Sequence, residues 1–282
     1  MKKSFSFLTF FLVSLFCIII FLPGCITSSY YISPMYGSSM SYRTMPLQKD
    51  TVKSALYLNS ALTYGGTNED VRDVVYSLQT NIYNVHRFSF FKAWYGAGIT
   101  LGNYKVHSYS SATYANFDVA AVNRLAGNKF FGSTNFNGGL VIVIPMKSGS
   151  EFRVAGVSAS LQNEFGDYLR FRKTLEEDTI KITGLAANRA LGTIGISSEV
   201  ALKTKSGAFS IQYAWNILTG KNYSNTDYLN IAPKKRYSYL SGTLALTVNN
   251  ITGYLQSNLG TRLLNLQTGV NYRINYGSKK RK

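Results

Sequence analysis

Acidic residues are scarce in this chain, and so are cysteine, histidine and proline. Its 282 residues include 13 Asp and Glu against 30 Lys and Arg, with two Cys, two His and five Pro. Both cysteines, Cys17 and Cys25, fall within the first 25 positions. The rest of the chain therefore offers no disulfide, no thiolate metal site and no cysteine nucleophile. There is no P-loop, no dinucleotide-binding fingerprint and no His/Cys zinc spacing. No cofactor and no metal are expected.

What the chain does have begins at its amino terminus. Met1-Lys2-Lys3 is followed by an apolar run from Phe5 to Leu22, 18 residues. At a rise of ~1.5 Å per residue such a helix would just span a ~30 Å hydrocarbon core. Ser6, Thr9 and Ser14 dilute the run, and Pro23-Gly24 breaks it. A basic start, an apolar middle and small closing residues make a secretory signal, not a retained anchor. Leu22-Pro23-Gly24-Cys25 resembles a bacterial lipobox. The resemblance implies that residues 1–24 form a signal peptide, cut between Gly24 and Cys25. It further implies diacylglycerol on the Cys25 thiol and an acyl chain on the new amino terminus. At ~0.8 kcal/mol per buried CH2, several acyl chains would anchor the protein stably.

The chain left after cleavage has 28 basic and 13 acidic residues, a formal charge of +15. Such a surplus usually signals an anionic partner. Nucleic acid is excluded by the exported location, so anionic lipid headgroups or lipopolysaccharide are expected. Residues 25–50 are rich in Ser, Tyr and Met, contain Pro34 and Pro46, and lack periodicity. They read as a flexible tether. Residues 277–282 read as a basic, disordered tail. Ile26-Thr27-Ser28-Ser29 contains no acid. That resembles neither an inner-membrane retention signal nor a surface-export signal, so an outer-membrane lipid in the periplasm-facing leaflet is expected.

From residue 51 to 276 the chain alternates. Leu264, Leu266, Thr268, Val270 and Tyr272 oppose Asn265, Gln267, Gly269, Asn271 and Arg273. That period of two belongs to a strand, not a helix. Similar segments run over 54–65, 74–87, 90–104, 139–145, 155–161, 194–202, 209–217, 240–248 and 251–260. About ten strands result, with two more possible. Lys147-Ser148-Gly149-Ser150, Lys205-Ser206-Gly207 and Val248-Asn249-Asn250 read as tight turns, and residues 105–138, 172–189 and 223–235 as long loops. Short helices are expected near 118–125 and within 172–189. The fold class is all-β, an antiparallel up-and-down barrel of about 10–12 strands with long loops on one side. Strands of ten or more residues, Ser/Thr/Asn/Gln/Gly-rich polar faces and 14% aromatic content favour a transmembrane wall over a soluble barrel or sandwich. Tyr64, Tyr104, Tyr237, Tyr239, Tyr272 and Tyr276 are expected in an aromatic girdle.

The segments 91–102 and 163–168 carry glycine-interrupted aromatic strands. They are similar in texture to a Bacteroidota-type outer-membrane barrel. That resemblance implies a fold and a compartment and transfers no functional residue.

Chemistry-bearing residues are few. His107 sits beside Ser108, Ser110 and Ser111 just past a strand, a workable rim position for an acyl-transfer site, but a third group is missing. His86 beside Arg87 reads as a rim residue. Glu176-Glu177-Asp178 lacks the alternating spacing of a calcium loop. Glu164, Asp167, Arg170 and Arg172 read as an ion-pair cluster at a lumen wall or strand end. No enzymatic activity is expected. The leading expectation is a structural or accessory component of an envelope assembly, secretion or uptake machine. The alternatives are an anion-favouring pore or small-ligand carrier, and a soluble lipid-binding barrel or lipid-modifying barrel enzyme.

The lipobox makes a direct prediction. Cells fed an alkyne fatty acid should label the wild-type protein, and Cys25→Ser should abolish the label. Undiminished labelling of the variant would rule out Cys25 as the acceptor.

Overall fold

The computed structural model describes residues 30–47, 53–67, 73–108, 119–146, 149–177, 184–220, 224–225, 235–260 and 263–274. Cys25, Gly24 and the rest of the signal lie outside these residues, as do Tyr276 and the basic tail.

In chain order the strands are β1 (Tyr30–Tyr31), β2 (Ser54–Thr67), β3 (Asp73–Arg87), β4 (Phe91–Val106), β5 (Gly127–Pro145), β6 (Glu151–Gly166), β7 (Gly184–Leu185), β8 (Ala190–Lys203), β9 (Gly207–Thr219), β10 (Ser224–Asn225), β11 (Lys235–Arg236), β12 (Ser238–Val248), β13 (Ile251–Gly260) and β14 (Leu263–Ile274). Ten of these close one antiparallel barrel in the order β12-β13-β14-β2-β3-β4-β5-β6-β8-β9. Sequence neighbours pair throughout, and β14 closes on β2 from Leu263 opposite Thr67 to Ile274 opposite Leu56. Helices lie over Val119–Arg124 and Asp167–Glu177.

The barrel is apolar outside and polar inside. On β2, Leu58, Leu62 and Tyr64 are exposed, while Asn59 and Thr63 are buried. On β14, Leu264, Leu266 and Val270 face out, and Asn265, Gln267 and Asn271 face in with no exposure. The same division runs round the wall through Ile82, Ile99, Phe136, Leu161, Ile196, Trp215, Leu244 and Leu255. A water-soluble barrel buries the apolar face instead. A continuous apolar exterior of this size is the pattern of a wall set in lipid. No helix among the described residues is long and apolar enough to cross a membrane, which says nothing about strands.

The two rims differ. Residues 88–90, 146–150, 204–206 and 249–250 form short turns at one end. At one of them Asn249 takes φ 55, a left-handed conformation Asn tolerates in a two-residue hairpin turn. The other end carries the long connections 107–126, 167–189 and 220–237, besides the shorter 68–72 and 261–262.

Three expectations change. First, β5 is 19 residues long and begins at Gly127, inside the stretch expected to be loop to residue 138. Its first half alternates Phe130, Gly132, Thr134 and Phe136 outward with Phe131, Ser133, Asn135 and Asn137 inward, a pattern its glycines obscure. Second, among the described residues of the expected girdle only Tyr64 and Tyr272 face outward. Tyr104 and Tyr239 share the parity of their strands' luminal residues, and Tyr237 turns in just ahead of β12. Third, residues 31–46 are not a tether over their length. Nearly all are buried inside the barrel.

Leu62→Arg should cost about 2–4 kcal/mol in a bilayer if this wall faces lipid. Unfolding by urea in vesicles would measure it. A cost below that of the same change at the exposed turn residue Ser206 would contradict the outward apolar wall.

Candidate functional site: a lumen filled by the chain's own segment

Residues 31–47 run through the lumen from the long-loop end to the short-turn end. At the start, Tyr30 and Tyr31 pair in parallel with Gly184 and Leu185, and the Ala186 amide donates to the Tyr31 carbonyl at 3.1 Å. Partway along, the Tyr36 hydroxyl donates to the Ser238 carbonyl at 2.8 Å. At the far end, Arg87 Nη1 donates to the Leu47 carbonyl at 3.0 Å.

Residues 34–38 turn on themselves, with the Ser33 and Met35 carbonyls accepting the Tyr36 and Ser38 amides at 3.0 Å each, but the segment joins no barrel ladder, and its other buried carbonyls need donors. The luminal side chains supply them. Asn265 Nδ2 reaches the Tyr36 carbonyl at 3.2 Å. Gln267 reaches Ser38 at 3.5 Å, Gln162 reaches Ser39 at 3.2 Å, and Gln256 reaches Met40 at 2.9 Å. The Tyr83 hydroxyl donates to the Thr44 carbonyl at 3.1 Å, and Arg153 Nη2 donates to Met45 at 3.0 Å. Lys92 Nζ donates to Pro46 at 2.6 Å. The Ser39 hydroxyl also meets Tyr239 and Thr193, each at 2.9 Å. Gly37 turns the segment at φ 78, and a Cβ there would lie 2.0 Å from Leu263 Cδ2. Both facts favour glycine at that point.

Near the short-turn end the wall contributes a buried charge cluster. Lys92 pairs with Glu151 at 2.5 Å, Arg153 with Glu151 at 3.1 Å, and Arg153 with Glu199 at 2.7 Å. The Tyr42 hydroxyl of the segment donates to the same Glu199 oxygen at 2.8 Å. Two cations and two carboxylates balance, so burial leaves no net charge. A register shift between Arg153 and Gly156 on β6 places Val154 and Ala155 outward together, and Arg153 stays luminal. Arg43 of the segment lies over the Tyr83 and Trp94 rings at 5.2 and 5.7 Å.

The long-loop end is closed differently, by an apolar cap. The 167–177 helix follows Gly166, whose φ is 109, and opens on Asp167, where a negative charge suits the helix dipole. It buries Tyr168, Phe171, Arg172 and Leu175 and exposes Arg170 and Lys173. Tyr31 meets Phe171 edge-on at 5.2 Å, and Tyr104 stacks on Tyr168 at 4.1 Å. Val75, Val106, Val122, Phe131, Leu191 and Leu218 complete the cluster. Burial pushes the Tyr168 hydroxyl above its usual range, with Arg172 opposing the shift.

The expected ion pairs are found at this end. Arg172 binds Glu164 in a buried contact and donates to the Ala186 carbonyl at 2.6 Å. Arg170 meets Asp167 on the exposed helix face. The amide of His107 donates to Asp73 Oδ1 at 2.8 Å, and its ring nitrogen Nδ1 lies 3.8 Å from the same oxygen. Ser110 and Ser111 lie outside the described residues, so no triad is assembled among the described ones. His86 stacks on Tyr95 at 5.7 Å at the opposite rim. Glu176 is exposed, and Asp178 lies outside the described residues. Among the described residues no group of three or more His, Cys, Asp or Glu could hold a metal.

Luminal cavities lie beside the segment. One, of about 240 Å³ at the short-turn mouth, is lined by Tyr42, Leu47, Arg153, Lys203, Lys205 and Arg273 among others. Another, about 50 Å³, lies between Arg43 and Gln212. Glu151, Glu164 and Glu199 all point inward, so the lumen carries acidic as well as basic side chains.

No family model matches the chain, and no curated protein matches it. Solved structures with a similar shape include the translocator domain of the autotransporter NalP from Neisseria meningitidis, at TM-score 0.35 and 7% identity over 81% of this chain and 91% of that one. The transport unit of the autotransporter AIDA-I from Escherichia coli gives TM-score 0.37 and 9% identity over 84% and 95%. Neisserial surface protein A gives 0.30 and 10% over 79% and 98%. These likenesses transfer no residue and no role to this chain.

Arg153→Met would leave Glu199 buried with Tyr42 as its partner, at a cost of about 3–5 kcal/mol. The temperature at which the compact form unfolds in detergent should fall, and Glu199→Gln added to Arg153→Met should recover part of the loss. A single variant as stable as the wild type would contradict a structural role for the cluster.

Proposed function

We propose that this protein is a lipid-anchored barrel of the outer membrane that serves as a structural or accessory component of an envelope assembly and not as an open pore. The observation that carries the reading is the filled lumen. Seventeen residues of the chain, 31–47, occupy it from rim to rim, held by hydrogen bonds to eight of the ten barrel strands and sealed by an apolar cap at one end. A ten-stranded barrel has little interior to spare once side chains point inward.

The outward apolar wall supports the membrane location, and the Leu22-Pro23-Gly24-Cys25 motif supports the anchor. Exposed cations at both rims, Arg124, Arg170 and Lys173 at one and Lys53, Lys203 and Lys205 at the other, suit anionic headgroups or lipopolysaccharide. A transporting or catalytic role would need the lumen to open or the His107 loop to supply further groups. The pore reading keeps one supporting observation, the amide- and hydroxyl-lined wall that removal of the segment would uncover.

Planar-bilayer recording separates the two. The intact protein should be electrically silent, and a variant lacking residues 31–46 should conduct if it still folds. Gly37→Ala, which strains a left-handed backbone position and crowds Leu263 while leaving the wall's sequence unchanged, should loosen the segment and give intermittent openings. Steady conductance by the intact protein would overturn the closed-barrel reading.

A further inference from the structure

The direction in which the segment threads the lumen has a consequence for the anchor. Tyr31 is fixed under the long loops through Ala186 and Phe171, and Leu47 is fixed at the short turns through Arg87. Tyr30, just upstream, pairs with Gly184 at the long-loop end, so that is the end from which the described chain is entered. Cys25 is six residues before Tyr31. At ~3.3–3.6 Å per residue, six residues reach at most about 22 Å. The apolar band of such a barrel is ~25 Å tall, and the acyl chains must enter a leaflet near the point where the chain emerges. The short-turn leaflet lies beyond that reach.

Both β2, which begins the barrel, and β14, which ends it, have their free termini at the short-turn end. In outer-membrane barrels the short turns face the periplasm and the long loops face outward. We propose that this barrel conducts its own amino-terminal segment across the membrane, so that Cys25 and its acyl chains sit in the outer leaflet beside the long loops. This inference rests on the lipid-anchor reading above. It replaces the expectation of a periplasm-facing lipid, which rested on the residues after the cysteine alone.

The wall is built to hold such a threaded segment. Its side-chain donors meet seven of the segment's carbonyls between Tyr36 and Pro46, and the Lys92–Glu151–Arg153–Glu199 cluster grips the end that enters the periplasm-side mouth. The partner implied is the lipid of the outer leaflet, met by acyl chains at one point and by the exposed Arg124, Arg170 and Lys173 around the same rim.

The test uses full-length protein in intact cells and a membrane-impermeant maleimide. Ser28→Cys, three residues from the acyl site, should be labelled on intact cells. Ser206→Cys, in an exposed short turn, should be labelled only after the outer membrane is permeabilised. The same Ser28→Cys cells are fed an alkyne fatty acid. Labelling at position 28 together with fatty-acid incorporation supports the proposal. Labelling at position 206 but not 28 on intact cells, or protection of both, overturns it. Labelling at position 28 without fatty-acid incorporation refutes the lipid anchor and leaves the threaded topology standing, so the two failures are distinguishable.

Discussion

A polypeptide carbonyl buried without a donor is expensive, and that constraint organises this molecule. The segment 31–47 crosses the barrel without joining its sheet, so beyond the Tyr31, Ser33 and Met35 carbonyls, which accept backbone amides, its carbonyls must be met by side chains. Asn265, Gln267, Gln162, Gln256, Tyr83, Arg153 and Lys92 meet seven of them. This explains why a lumen of this size is lined with amides and hydroxyls and is not packed with leucine. The apolar residues go to the outer wall, where lipid is the solvent. The inside-out composition and the threaded segment are two sides of the same requirement.

The two ends of the lumen solve the sealing problem in different chemistries. At the long-loop end Tyr31, Tyr104, Tyr168 and Phe171 form an ordinary apolar core under the 167–177 helix. At the short-turn end a balanced charge cluster holds the last residues of the segment. An apolar cap resists water and is indifferent to sequence register. A paired charge cluster fixes register, because losing one partner leaves the other buried and unpaired. The segment is thus positioned from its carboxyl-terminal end and covered at its amino-terminal end.

Much of the fold was legible in the sequence, and the reason is physical. Period-two alternation reports a strand with unlike faces, so all ten barrel strands could be placed, as could the turns at 205–207 and 248–250. It also showed which face was polar. A helix near 118–125 was legible too, whereas the second, expected within 172–189, in fact begins at Asp167 directly after β6. The threaded segment was not, because a chain satisfied by side chains has no period of its own. Residues 32–47 look like a linker because they join no strand of the barrel sheet. Their seat is written in Gln162, Gln256, Asn265 and Gln267, more than a hundred residues away. Glu151 and Arg153 were missed as a pair of luminal charges because the register shift before Gly156 breaks the phase of β6. Tyr104 and Tyr239 were misplaced because position near a strand end was weighed above parity.

The central claim is that residues 31–47 lie within the lumen, and a cross-link tests it most directly. The Ser39 and Thr193 side-chain oxygens are 2.9 Å apart, one on the segment and one on the wall. Cysteines at such a pair fall within reach of a disulfide. Ser39→Cys combined with Thr193→Cys should form one in the membrane under mild oxidation, with a mobility shift absent from either single variant. Two freely alkylated thiols and no shift in the double variant would contradict the threaded lumen.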